Sequence, residues 1–232
     1  MNRSRPRDLS ARRVNQILSQ VKSESSIAGR VETLSRYFVG RAYKPDPLIG
    51  SALKGEVFTA SLAGFDCVTY IEAVVALARA SNVDEFVEWL RTIRYEHGEV
   101  QWKRRNHYMT RWIRNNVREG IVKRISMPAV PTISKARVLN VVPGLDPQRT
   151  RMKYIPTAAL PRLKLYLKTA DLMCFVSTRP HLDVFHAGII VRNGRKVLMR
   201  HASRSRGSVV EQNLTDFLKA NQMAGVIVAR PN

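Results

Sequence analysis

The sequence predicts an α+β fold in which N-terminal helices pack on a C-terminal antiparallel sheet. Two observations lead to this prediction: apolar residues recur at helical spacing up to Glu119, and short β-branched runs separated by Pro and Gly follow Gly120. Helices first and strands second is typical of α+β chains rather than of βαβ units. The chain has 232 residues and is 44% hydrophobic, which is enough for one sizeable core. We therefore expect residues 1–232 to form a single domain.

Helical patterns occur in four segments of the first half. They are residues 9–38, the segment that follows Asp66, residues 84–94 and residues 106–119. Asp66 is a candidate N-cap for the second of them. The polar residues 1–8 are expected to be disordered, and residues 44–55 contain two prolines and two glycines and predict a loop.

The second half contains six strand patterns. They are IVKRI, ARVLNVV, DLMCFV, DVFHAGIIV, KVLMRHAS and GVIVARP. Residues 143–170 combine prolines with many basic residues and give no regular pattern.

The charge balance is unusual, because 39 Lys and Arg face 18 Asp and Glu, for a net charge of +21. Such a field attracts polyanions and anionic surfaces, but it carries no information about the fold. Nucleic acid is the obvious candidate, and peptidoglycan peptides, teichoic acids and anionic lipid head groups are others. The basic residues cluster between about Arg91 and Lys168.

Several classes of protein are disfavoured. No apolar stretch is long enough to span a bilayer, and the basic N-terminus lacks the apolar segment of a secretory leader. We therefore expect a cytoplasmic protein, or an exported protein whose leader has been trimmed or that uses another route. The two cysteines form neither a zinc pattern nor a disulfide framework. A G-x-S-x-G elbow and a phosphate-binding glycine loop are absent from the sequence, so we expect no metal and no cofactor.

Cys67 is the first candidate for chemistry because it lies where a helix is predicted to begin. The helix dipole and the first backbone N–H groups stabilise a thiolate at this position, and the same N–H groups can hold an oxyanion. The neighbouring Asp66 opposes the first effect through its own charge. The bland interpretation of a lone cysteine is a small core residue.

His186 and His201 are the second candidate. Asn193-Gly194 is a preferred type I′ hairpin turn, and a turn centred on it would place the two histidines directly opposite each other on one face of the sheet. Their Cβ atoms would then be roughly 4.5–5.5 Å apart, close enough for the rings to share a hydrogen bond. Gly188 would leave room beside them for a substrate backbone. A nucleophile, a base and a group that orients the base form an activated-nucleophile pattern, with Cys67 attacking, His186 as the base and His201 orienting it.

Five segments of the chain also resemble a known family. They are GFDCVTYIEAVVALA, RNHYMTRW, ADLMCFV, DVFHAGIIVRNG and VLMRHAS. Together, over residues 38–231, they resemble the N-acetylmuramoyl-L-alanine amidase-like family of papain-fold, NlpC-type cell-wall hydrolases. The resemblance implies a papain-like fold and a catalytic Cys-His-His set that falls on Cys67, His186 and His201.

The same resemblance implies further site residues and a substrate. Tyr43 matches a tyrosine that assists the oxyanion site, and Asp66 belongs with it as an oxyanion or substrate residue. Arg105, His107 and Tyr108 are placed in a substrate-side elaboration over residues 95–120, and residues 143–170 form a second elaboration. For Arg105, His107 and Tyr108 a solvated basic helix is the equally weighted alternative.

Three functions remain open from the sequence. The first is hydrolysis of the N-acetylmuramoyl-L-alanine amide bond in peptidoglycan fragments or muropeptides, through a thioester on Cys67. The second keeps the fold and moves the cut to the bond between D-glutamate and the diamino acid. The third is a basic module that binds nucleic acid or another polyanion, suggested by the net charge of +21. The strong basicity and the lack of a visible leader are departures from the family pattern.

Overall fold

The protein is a mixed α+β chain with a large, mostly antiparallel sheet, which confirms the predicted α+β class. The structure, a computed structural model, describes residues 6, 9–127 and 129–232. The disorder predicted for residues 1–8 therefore falls, apart from residue 6, outside the described residues. Within the described part of the chain, no helix combines the length and the apolar character needed to cross a bilayer. The chain divides into two compact units.

The first unit contains the residues up to Arg105 together with Ala202–Val210. Its elements are α1 (Ala11–Ser19), α2 (Ile27–Tyr37), β1 (Ala42–Tyr43), β2 (Gly64–Phe65), α3 (Cys67–Arg79) and α4 (Val83–Arg94). The predicted helical segment 9–38 is two helices, because Ser10 and Ser26 each cap a new start by accepting a hydrogen bond from the backbone three residues on. The predicted helix after Asp66 and the helix near 84–94 are confirmed.

A buried ion pair joins α3 to α4. Arg94 Nε donates to Glu72 Oε2 over 2.8 Å, and both side chains are at most 4% exposed. The guanidinium also donates to the carbonyl of Thr59 over 2.6 Å. Removing one partner of such a pair leaves an uncompensated buried charge and costs roughly 3–5 kcal/mol. The pair therefore fixes how the helix that begins at Cys67 packs on its neighbour.

The second unit contains Asn106–His201 and Glu211–Asn232. Its elements are α5 (Met109–Arg118), β3 (Val122–Arg124), β4 (Ile133–Leu139), β5 (Gln148–Pro156), α6 (Leu160–Leu163), β6 (Leu172–Val176), β7 (Val184–Asn193), β8 (Lys196–Ser203), β9 (Ser208–Asn213), α7 (Leu214–Ala220) and β10 (Gly225–Pro231), with the last part of β8 and the first part of β9 belonging to the first unit. The strand order is β8-β7-β6-β10-β5-β4, and β3 also pairs with β10. All of the registered pairings in this sheet are antiparallel.

The segment 143–170 contains a nine-residue strand, β5, and the short helix α6. Neither element is predicted by the sequence pattern. In β5 the apolar residues Met152 and Tyr154 alternate with basic residues that stay exposed. Such a strand shows little alternation of apolar and polar residues in the sequence, so it is identified by its pairing with β4.

The predicted register of the β7–β8 hairpin is wrong by two residues. Asn193 pairs with Lys196, so the turn residues are Gly194 and Arg195 rather than Asn193 and Gly194. The predicted type I′ turn would need a positive φ at Asn193, but Asn193 remains in the strand. Gly194 is instead the first turn residue and has a φ of 56°, as in a type II′ turn. Ile189 faces Arg200 in the observed register. His186 and His201 are therefore diagonal neighbours. A slip of two residues keeps every side chain on its predicted face, because side chains alternate with a period of two.

Candidate active site

Cys67 is the first residue of α3, and a capping box fixes this position. Asp66 Oδ1 accepts hydrogen bonds from the backbone N–H and the hydroxyl of Thr69, each over 2.7 Å. The Thr69 hydroxyl in turn accepts from the backbone N–H of Asp66 over 3.0 Å. Cys67 is half-buried, so it is not a core residue. The Asp66 carboxylate thus has a definite structural role, since it defines the helix start and places the thiol there.

Tyr43 lies next to this helix start. Its strand β1 runs parallel to β2, and the register places Tyr43 beside Phe65, two residues before Cys67. Burial raises the pKa of the Tyr43 phenol, and negative charge on Cys67 and on Asp66 raises the same pKa further. Arg204 acts on this pKa in the opposite direction. The phenol therefore stays protonated at neutral pH, and a hydroxyl donor lies within the electrostatic range of the Cys67 thiol.

Arg105 belongs to a different cluster of the first unit. Its guanidinium donates to Glu56 over 3.0 Å and lies 4.4 Å from the centre of the Trp102 ring. The Tyr95 hydroxyl donates to the same Glu56 oxygen over 2.8 Å. The Glu56 side chain is 2% exposed, so Arg105 neutralises a buried carboxylate. This contact accounts for the arginine structurally, and its predicted role toward substrate stays a prediction.

In the second unit, His186 on β7 and His201 on β8 share a hydrogen bond. His186 Nε2 and His201 Nδ1 are 2.7 Å apart, and the two rings meet nearly at right angles with centres 4.7 Å apart. The predicted contact between the imidazoles is therefore present. Diagonal neighbours on antiparallel strands remain within reach of ring side chains, which is why the contact survives the error in register.

Gln212 on β9 completes a chain of three polar side chains. Its Oε1 accepts from His201 Nε2–H over 3.2 Å, so His201 Nδ1 carries no proton and accepts from His186 Nε2–H. This assignment leaves an unprotonated Nδ1 on His186, the nitrogen that a general base requires. The sequence prediction missed Gln212 because Ser208–Asn213 had not been recognised as a strand.

Aromatic side chains enclose the two histidines. Phe175, opposite His186 on β6, and Phe217 on α7 both stack on the His186 ring, with centres 6.1 and 5.4 Å away. Phe217 also meets the His201 ring edge-on at 5.4 Å. Burial, followed by the neighbouring His201, lowers the pKa of His186 to about 3. Burial also lowers the pKa of His201, while the hydrogen bond that His201 donates to Gln212 acts in the opposite direction. Both imidazoles are therefore neutral near pH 7.

The predicted role of Gly188 is wrong. A Cβ atom at this position would lie 2.8 Å from Met199 Cγ and Sδ. The space beside Gly188 is therefore filled by the Met199 side chain rather than left open for a substrate backbone. Glycine is needed here so that Met199 can pack against the strand.

His107 and Tyr108 precede α5 in the second unit. Tyr108 is 2% exposed, and its hydroxyl accepts from the Val142 N–H over 3.4 Å. His107 is half-buried. The buried Tyr108 ring explains the aromatic residue as part of the core, and a role of either residue toward substrate stays a prediction. Among the residues that the structure describes, no three His, Cys, Asp or Glu side chains are grouped so as to hold a metal ion.

The neutral state of the histidines predicts how stability depends on pH. The folded-state pKa of His186 is about 3, below the ordinary value of roughly 6.5, so the unfolded chain binds more protons between these pH values. The free energy of unfolding should therefore fall as the pH is lowered from about 6.5 toward 3, by up to about 1.4 kcal/mol per pH unit for one histidine. Urea unfolding near pH 7 and near pH 5 measures this loss.

The control for this prediction is a second histidine. His186→Gln should lose less stability between the two pH values than the wild type, whereas His181→Gln, at an exposed position, should lose as much as the wild type. An unchanged pH dependence in His186→Gln would contradict a proton-free imidazole in the folded state.

Comparison with known proteins identifies the family. Residues 33–226 match the family model described as AmiA-like, N-acetylmuramoyl-L-alanine amidase-like. The chain belongs to the AmiA-like family. The matched segment of this AmiA-like chain includes all of the candidate site residues named above, from Tyr43 to Gln212. Membership supports a hydrolase with an amidase-like role on peptidoglycan. A search of curated protein sequences gave no match.

Solved structures share the fold of this AmiA-like chain. A Legionella pneumophila protein is 21% identical with a TM-score of 0.84, over 95% of this chain and 94% of its own. An N-acetylmuramoyl-L-alanine amidase from Bacteroides uniformis is 23% identical with a TM-score of 0.79, over 89% and 99%. A Bacteroides fragilis protein proposed to be a xylanase is 24% identical with a TM-score of 0.73, over 84% and 98%. At these identities the likeness shows the fold alone.

Proposed function

We propose that the chain is a cysteine amidase that cleaves the bond between N-acetylmuramic acid and L-alanine in peptidoglycan fragments. The observation that carries the proposal is the ordered series Gln212, His201, His186, which ends in a proton-free imidazole nitrogen. Cys67 supplies the nucleophile: its thiol is half-buried at the start of α3, and it interacts electrostatically with the Tyr43 phenol. AmiA-like family membership supports the substrate class.

In the proposed mechanism, His186 Nδ1 takes the proton of the Cys67 thiol. The low pKa of His186 favours this general-base route over a resting pair of thiolate and imidazolium. The thiolate attacks the carbonyl carbon of the muramoyl group, and the oxyanion is held by the first N–H groups of α3 and by the Tyr43 hydroxyl. His186 then gives its proton to the leaving amine of L-alanine. Water, deprotonated by His186, hydrolyses the muramoyl thioester and restores the thiol.

The mechanism requires proton transfer from the Cys67 thiol to His186 Nδ1. It therefore predicts a sulfur-to-nitrogen distance of roughly 3–4 Å when substrate is bound. We accordingly propose that the chain is a papain-like hydrolase, with the nucleophile on a helix start and the base on an antiparallel sheet. Arg204 lies in the exposed turn between β8 and β9 and places a positive charge near Tyr43. This charge would attract the carboxylates of a peptide substrate.

Digestion of defined muropeptides, followed by mass spectrometry, tests the proposal. An amidase releases the intact peptide with a free L-alanine amine and a sugar with a free lactyl carboxylate. A cut after D-glutamate instead leaves the sugar joined to L-alanyl-D-glutamate, and this outcome would move the activity to the endopeptidase alternative. If neither product mass forms, the proposed hydrolase function is wrong.

The role of Tyr43 gives a separate prediction. Tyr43→Phe should lower kcat by roughly 10²-fold with little change in KM, since one oxyanion donor is removed and substrate contacts remain. Tyr37→Phe, which removes a hydroxyl from α2 in the same unit, is the matched control and should retain the wild-type kcat. Equal kcat in Tyr43→Phe and wild type would exclude the phenol from the oxyanion site.

A further inference from the structure

A row of basic side chains covers one face of the β4–β5 hairpin. Arg149, Arg151 and Lys153 alternate along β5 and are all exposed. Met152, which lies between Arg151 and Lys153, and Tyr154, which follows Lys153, are buried on the opposite face. At 3.3–3.4 Å per residue the row is about 13–14 Å long from Arg149 to Lys153. The cations therefore form a straight line on one side of the sheet.

A fourth cation extends the row. Arg124 on β3 donates through Nη2 to the Lys153 carbonyl over 3.0 Å, which holds this exposed arginine beside the end of the line. Negative charge is scarce in the surrounding sequence. Residues 121–170 contain ten Lys and Arg and a single acidic residue, Asp146. Among the described residues, none of the four cations forms an ion pair with a carboxylate.

The partners of the row on β4 are small. Ser134, Ala136 and Val138 lie opposite Lys153, Arg151 and Arg149, and all three are exposed. A face that enters a bilayer surface would carry large apolar or aromatic residues, and a face that holds single-stranded nucleic acid would carry aromatic residues for base stacking. Among these residues none is aromatic, and Val138 is the one apolar side chain larger than alanine. A line of cations with small neighbours fits an evenly spaced row of phosphates on a stiff polymer.

We propose that this hairpin face binds the phosphate backbone of duplex nucleic acid, without regard to base sequence. A duplex carries one phosphate per about 3.4 Å of helix axis on each strand, so phosphates lie within reach all along the row from Arg149 to Lys153. The affinity expected for such contacts is that of non-specific binding, a Kd of roughly 10⁻⁴–10⁻⁶ M at physiological salt. This activity is independent of the proposed hydrolase function and uses none of its residues.

The test measures binding of the full chain to a mixed-sequence DNA duplex at several salt concentrations. The triple variant Arg149→Ser, Arg151→Ser, Lys153→Ser should make the negative slope of log K against log salt less steep by about 2.7. It should also weaken binding at about 0.1 M salt by roughly 10²-fold or more. Arg149→Lys with Arg151→Lys should retain binding, because phosphate contacts of this kind need only a point charge. Muropeptide cleavage should be unchanged in both variants.

The control removes the same charge elsewhere. Arg12→Ser, Lys22→Ser and Lys54→Ser alter three exposed cations of the first unit and should leave most of the duplex affinity. If this variant weakens binding as much as the hairpin variant, overall charge rather than the row binds the duplex, and the proposal fails. It also fails if the hairpin variant loses binding to anionic phospholipid vesicles but not to the duplex, or if single strands bind more tightly than the duplex.

Discussion

Replacement of Cys67 by alanine should lower muropeptide hydrolysis by at least about 10⁴-fold. The thiolate forms the covalent bond to the substrate carbonyl in the proposed mechanism, and the loss of a nucleophile removes the thioester route as a whole. The position of the thiol at the start of α3, where the first backbone N–H groups of the helix stabilise negative charge, points to this residue. Initial rates from the muropeptide digest, measured by release of free peptide, give the change.

The second cysteine of the chain is a matched control. Cys174 lies on β6 and is fully buried, so Cys174→Ala should retain activity within a few-fold and lose only a modest amount of stability. Iodoacetamide should modify half-buried Cys67 in preference to Cys174, and peptide mass mapping identifies the alkylated residue. Activity that persists in Cys67→Ala, or that disappears only in Cys174→Ala, would refute a Cys67 thioester.

His186→Ala should lower kcat by roughly 10²–10⁴-fold while the chain stays folded. His186 is proposed to accept the thiol proton and to return it to the leaving amine, and each proton transfer by a placed group contributes on this scale. Because burial and His201 lower the pKa of His186 to about 3, the base is proton-free across the ordinary pH range. The acidic limb of kcat/KM should therefore lie well below pH 6.5, the ordinary region for an imidazole.

Kinetics across pH with two histidine variants check this prediction. His181→Ala, at an exposed position between β6 and β7, should keep the wild-type rate and pH profile. His201→Ala should act through His186: it removes the acceptor that holds the His186 ring and should lower kcat without a large change in KM. An acidic limb of kcat/KM near pH 6.5 would contradict the neutral imidazole, and wild-type kcat in His186→Ala would exclude it as the base.

The elements that could be predicted from the sequence are those set by patterns within a few neighbouring residues. Asp66 is a cap residue whose effect is confined to the next three positions, so the start of α3 could be predicted. The strands with continuous apolar runs, such as β6 and β10, could also be recognised because both faces are buried. β5 was missed because its exposed face is basic, and its place in the sheet depends on pairing with β4 and β10.

The sequence by itself determined the α+β class, the helix start at Cys67 and the face shared by His186 and His201. Each follows from capping or from the period-two alternation of a strand, which act over a few residues. Only the tertiary structure decided the hairpin register, the hydrogen bond from His201 to Gln212 and the aromatic enclosure that keeps His186 neutral. These depend on residues from different strands and helices, and their pairing is fixed by the packing of the whole unit.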